Sequence, residues 1–162
     1  MHAAVPVTHT LRADAACVLL PQAIVTGRSA AVLWGVDLVG PADDVEVTVP
    51  PTANPRRLPG LRVRRASVAE EHRWRRLDIP VTTAAATAVR LASCLPGDDA
   101  VVAVDQMVAA GVVDLAAIRG LAGCERGAGS ARARAVCDRA DGLAGSPQET
   151  RLRLLIRAQR PA

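Results

Sequence analysis

Apolar positions along the first third of the chain recur at helical spacing and then switch to strict alternation. Residues 10–20, TLRADAACVLL, place Leu11, Ala15, Val18 and Leu19 on one predicted helix face, and Pro21 ends the run. AIVTGRSAAVLWGV (23–36) reads as a short extended segment, a Thr-Gly turn and a helix. That helix is capped by Ser29, buries Ala30, Leu33 and Trp34, and stops at Gly35. VEVTVP (45–50) alternates, turning Val45, Val47 and Val49 inward and Glu46 and Thr48 outward. LRVRR (61–65) repeats the pattern with Leu61 and Val63 inward, Arg62 and Arg64 outward. HRWRRLDIPV (72–81) predicts a third strand. The expected sheet is small, antiparallel, about three strands wide and wet on one face.

From Thr82 the period is helical throughout. TTAAATAVRLASCL is capped by Thr82 or Thr83 and stopped by Pro96-Gly97. A helix from Asp98 to Gly111 carries Val101, Val104 and Val108 on its apolar face and Asp105 on its polar flank. A short helix follows Asp114, a less apolar one follows a Gly-rich turn, and SPQETRLRLLIRAQR is the last. Ser146-Pro147-Gln148-Glu149 is a capping box with Pro at the first helical position. Beyond it, Leu152, Leu155 and Ile156 share one face and Arg153, Arg157 and Arg160 another. The fold class is α+β, with a predominantly helical C-terminal half. A small-residue linker at 142–146 suggests a division into residues 1–141 and 142–162.

Composition narrows the core. Trp34 and Trp74 are the only aromatics, so the interior must pack Ala, Val and Leu. All 20 basic side chains are Arg, and without Lys no phosphate-binding loop of the G-x-x-x-x-G-K type can form. Gly123, Gly127 and Gly129 match no nucleotide fingerprint. Cys17, Cys94, Cys124 and Cys137 lie far apart, which points to buried reduced thiols and away from a zinc site. No basic leader or membrane-length apolar run is present, so the expected location is the cytoplasm. No cofactor and no metal are expected.

The charge is concentrated in residues 56–76, where Arg56, Arg57, Arg62, Arg64, Arg65, Arg73, Arg75 and Arg76 face only Glu70 and Glu71. These guanidinium groups, with Trp74 among them to stack on a base, could neutralise phosphates without reading sequence. The alternative reading is that the same residues are only the solvated face of a sheet. His72 has no nucleophile or carboxylate partner beyond its sequence neighbours. Asp98 and Asp114 read as helix N-caps, not metal ligands.

Three stretches, AIVTGRSAAVLWGVDL (23–38), DIPVTTAAATAVRLASCLPGDDAVVAVDQMVAAGVV (78–113) and GSPQETRLRLLIRA (145–158), resemble in that order an actinobacterial family. In that family an AbiEi-antitoxin-like region precedes a nuclease domain related to very-short-patch-repair endonucleases. The resemblance implies a DNA-binding winged helix at the start, of which this chain holds too little, and acidic nuclease strands at the end. It also implies Arg and Asp where this chain has Ala86 and Arg90. Glu149 matches the nuclease-helix glutamate, yet residues 150–162 add no Asp, Glu or His, and metal-dependent hydrolysis needs several converging oxygens. The expectation is therefore a non-catalytic regulator or accessory module that binds DNA or a protein partner. The alternative is a nuclease subunit in which a partner chain completes a site around Glu149.

Overall fold

A computed structural model describes residues 6–40 and 42–159. The chain is α+β and forms two compact units that divide between Thr83 and Ala84.

The first unit contains α1 (His9–Leu19), β1 (Ile24–Val25), α2 (Gly27–Leu33), β2 (Val45–Val49), β3 (Leu61–Arg65), β4 (Arg73–Arg76) and β5 (Ile79–Thr82). Its sheet is mixed and five-stranded, ordered β3-β2-β1-β5-β4, where about three antiparallel strands were expected. The β1–β2 and β4–β5 pairs are antiparallel, whereas β1–β5 and β2–β3 are parallel. Two features account for the difference. β1 is only two residues long, too short to show a period, yet it is the central strand. The expected strand over 72–81 folds back on itself at Leu77 and Asp78, both with positive φ (51° and 59°). That two-residue turn twists as a hairpin requires but carries no glycine to mark it.

Val45, Val47 and Val49 face the core as predicted, joined by Val25, Ile79 and Val81. Ala13 and Ala16 of α1, with Ala30 and Leu33 of α2, pack on them. The predicted face of α1 is reversed: Leu11, Val18 and Leu19 are exposed, and His9, Ala13 and Ala16 are buried. Alanines let the helix axis approach the sheet closely, and that close packing outweighs burying fewer, larger side chains. Thr48 is buried too, its hydroxyl 3.0 Å from that of Thr26, so the outward positions of β2 are not simply wet. Ser29 does not cap α2. The helix begins at Gly27 after Thr26, and Ser29 lies inside it.

The second unit is helical: α3 (Ala84–Cys94), α4 (Gly97–Ala109), α5 (Leu115–Cys124), α6 (Ser130–Arg139) and α7 (Pro147–Ala158). Asp114 caps α5 as expected, accepting from Ala117 N–H at 2.7 Å. Asp98 lies within the first turn of α4 and pairs with Arg139, while Pro96 takes the cap position. α4 is the hub, with Ala100 through Asp105 and Met107 all buried. Asp105, expected on a polar flank, is fully buried. Its carboxylate accepts from the N–H groups of Asp141 (3.0 Å) and Gly142 (2.9 Å), from Thr150 Oγ1 (2.8 Å) and from Arg153 (2.7 Å). Asp141 also pairs with Arg153 and Arg157. This cluster pins residues 141–157 onto α4, so the division expected after 141 falls inside a compact unit. Arg160 lies outside the described residues.

Candidate functional site

The topology separates the arginines that the sequence places together. β3 and β4 are the two opposite edges of the sheet. Arg56, Arg57, Arg62, Arg64 and Arg65 therefore gather at one edge, and Arg73, Trp74, Arg75 and Arg76 at the other.

At the β4 edge the guanidinium groups are occupied. Arg73 donates twice to Val68 C=O, at 3.0 and 2.7 Å. Arg75 donates to Asp78 C=O across the hairpin turn. Arg76 donates to Leu33 C=O at 2.5 Å and lies 5.0 Å over the Trp34 ring, whose Nε1–H donates to Thr82 C=O at 3.0 Å. These contacts staple the edge strand to α2 and to its own turns. Trp74 is 59 % exposed and free to stack.

The β3 edge differs. The segment 54–58 runs beside the strand and leaves an open groove of about 510 Å³ lined by Arg56, Arg57, Arg62 and Arg65, with Asn54 and Asp44. Arg62 lies 3.8 Å from Glu46, a carboxylate engaged more closely by Arg28 at 3.0 Å. Arg56, Arg57 and Arg65 have no hydrogen-bond or ion-pair partner among the described residues. Val45 N–H donates to Gly60 C=O, and Ala66 N–H donates to Val49 C=O. In a parallel pair this alternation turns the backbone groups of Val63 and Arg65 to the open side. The groove thus combines three unpaired cations, Arg56, Arg57 and Arg65, with outward-turned backbone N–H groups of the edge strand. Arginines on an unpaired edge also discourage strand-to-strand association, so the same charges keep the sheet from aggregating.

No family model, no curated protein and no solved structure matches this chain. What it can do must be read from its own side chains.

Glu149 is committed to its helix. Ser146 Oγ donates to one carboxylate oxygen at 2.9 Å, Gly145 N–H donates to the other at 3.0 Å, and Ser146 Oγ in turn accepts from Glu149 N–H. Among the described residues no three His, Cys, Asp or Glu side chains are grouped to hold a metal ion. His72 ends a single 3-10 turn, half-buried, and contributes its backbone C=O to Thr83 N–H. No helix of the described residues is long and apolar enough to cross a membrane.

One pair has the form of a base and a nucleophile and was not visible in the sequence. His9 Nε2 lies 2.8 Å from Ser29 Oγ, which also accepts from Glu46 N–H at 2.8 Å. Ser29 is completely buried, so no substrate can reach it, and the pair joins α1, α2 and β2 instead. Burial holds the His9 pKa below its ordinary 6.5, with the Arg12 guanidinium adding to the effect. His9 and Ser29 are twenty residues apart and neither belongs to a motif, so only the fold brings them together.

The cysteines divide. Cys137 is buried and Cys17 half-buried, and burial pushes both thiols up to about 11. Cys94 and Cys124 are exposed, against the expectation that all four would be buried.

Proposed function

We propose that this chain is a non-catalytic binding module whose β3 groove takes the phosphodiester backbone of a nucleic acid. The regulator role implied by the AbiEi-like resemblance agrees with this reading. The observation that carries it is the trio Arg56, Arg57 and Arg65, which sit on one groove and make no ion pair among the described residues. Guanidinium groups left unpaired on a concave edge offer bidentate donors to phosphate oxygens and release condensed counterions when they bind. Contacts to phosphate carry no sequence information of their own. Binding is therefore weak and tolerant of sequence.

The engaged carboxylate of Glu149 supports the non-catalytic half of the proposal. A titration of labelled duplex DNA, followed by anisotropy over a range of salt concentrations, tests the reading. Three to four phosphate contacts predict a log–log salt slope of about −3 and a dissociation constant between roughly 10⁻⁴ and 10⁻⁶ M. Absent or salt-insensitive binding removes the proposal, and Mg²⁺-dependent cleavage that Glu149→Ala abolishes would replace it with a nuclease.

A further inference from the structure

The β3 groove holds more than cations. Pro55, Leu58, Leu61 and Val63 line it as well, half-buried, and keep uncovered carbon surface beside the arginines. Asp44 is also part of the lining, exposed and with no hydrogen-bond or ion-pair partner among the described residues. The outward backbone of Val63 and Arg65 offers C=O acceptors as well as N–H donors.

A phosphodiester satisfies only part of this lining. Phosphate oxygens accept hydrogen bonds and carry negative charge, so they suit the guanidinium and N–H groups. They give nothing to the two carbonyl oxygens, are repelled by the Asp44 carboxylate and leave the apolar surface bare. An unpaired base supplies what is missing. Its face packs on Leu58, Leu61 and Val63, and its pairing edge carries at least one N–H donor whichever base it is. A duplex withholds both, because its base faces are stacked and its pairing edges are bonded to each other. Size points the same way. The groove's volume of about 510 Å³ falls among clefts that take a small molecule, roughly 300–1,000 Å³, which suits a nucleotide. A duplex, whose major groove alone is about 12 Å wide, can only lie across the rim.

Resting on the phosphate-binding reading above, we propose that the β3 groove prefers single-stranded nucleic acid to duplex. Arg56, Arg57 and Arg65 hold the backbone while one unpaired base packs on Leu58, Leu61 and Val63. The base gives an N–H to the Asp44 carboxylate or to a strand carbonyl. Every base has a packing face and an N–H donor, so the preference is for strandedness and not for sequence.

Anisotropy titrations on the 162-residue chain compare three labelled probes. They are a mixed-sequence single strand of about twelve nucleotides, the same strand annealed to its complement, and an abasic deoxyribose-phosphate strand of equal length. The single strand is expected to bind about tenfold tighter than the duplex at the same salt concentration. Its log–log salt slope should be no steeper, since each phosphate contributes about −0.7 in a single strand and about −0.9 in a duplex. The abasic strand should fall to the duplex level or below. Asp44→Ala removes both a repulsion from phosphate and an acceptor for the base. Duplex affinity should therefore rise while the single-strand advantage shrinks by about threefold or more. Circular dichroism verifies that the variant is folded. A duplex that binds as tightly as the single strand, with its salt slope intact, overturns this inference and leaves the phosphate reading standing. Absence of binding by every probe removes both. An abasic strand that binds as tightly as the full one removes the base contact and the inference with it. So does an Asp44→Ala variant that raises single-strand and duplex affinity by the same factor.

Discussion

Two positions store conformational or electrostatic cost that a substitution can expose. Leu77 occupies a left-handed turn position with its side chain 71 % exposed, so it carries the strain of positive φ without a packing return. Leu77→Asn is expected to stabilise the hairpin by about 0.5–1 kcal/mol, read as a rise of about 2 °C in the melting temperature of the first unit. An unchanged or lowered melting temperature would show that Leu77 makes a contact worth more than the strain. His9 is the second case. Its folded pKa lies below 6.5, so the unfolded chain binds the proton more readily. Its contribution to stability is complete above pH 6.5 and declines as the pH falls below that value, levelling off beneath the folded pKa. Urea midpoints at pH 7.5 and pH 5 should therefore differ for the wild type, and His9→Gln should narrow the gap. An equal gap in both proteins would place the acid sensitivity elsewhere.

The elements show which features were legible in the sequence and which were not. β2 and β3 could be read because alternation over five residues is a strong signal, and their register pairs Val45 with Leu61 and Val47 with Val63. The capping box at Ser146 and the Asp114 cap were equally plain, since both are local hydrogen bonds between near neighbours. What was missed depends on distant partners. The outward face of α1 was mistaken because, in a core rich in alanine, side-chain size is a poor guide to which stripe is buried. Asp105 was taken for a surface residue because its partners lie 36 to 48 residues away. Removing that carboxylate leaves the Thr150 hydroxyl and two N–H groups without their acceptor and Arg153 with Asp141 as its one remaining carboxylate. Asp105→Ala is expected to destabilise the second unit by about 3 kcal/mol, measured by thermal or urea unfolding. A loss below about 1 kcal/mol would mean that Asp141 alone holds α7 in place.

For the whole molecule, the candidate site was half legible. The arginine run was evident, but its partition between two sheet edges was not, because a parallel β2–β3 pair and a two-residue central strand set that topology. The partition makes the two groups of cations unequal: Arg73, Arg75 and Arg76 hold carbonyl oxygens, whereas Arg56, Arg57 and Arg65 hold no hydrogen-bond or ion-pair partner among the described residues. The central claim is that only the second set binds phosphate. The most direct measurement compares the salt dependence of duplex-DNA binding for Arg56→Ala/Arg57→Ala/Arg65→Ala with that for Arg73→Ala/Arg75→Ala. The β3 triple variant should flatten the log–log slope by about 3 and lose nearly all affinity at low salt, while the β4 double variant keeps the wild-type slope. Equal losses in both, or an undiminished slope in the triple variant, would contradict the assignment of the β3 groove.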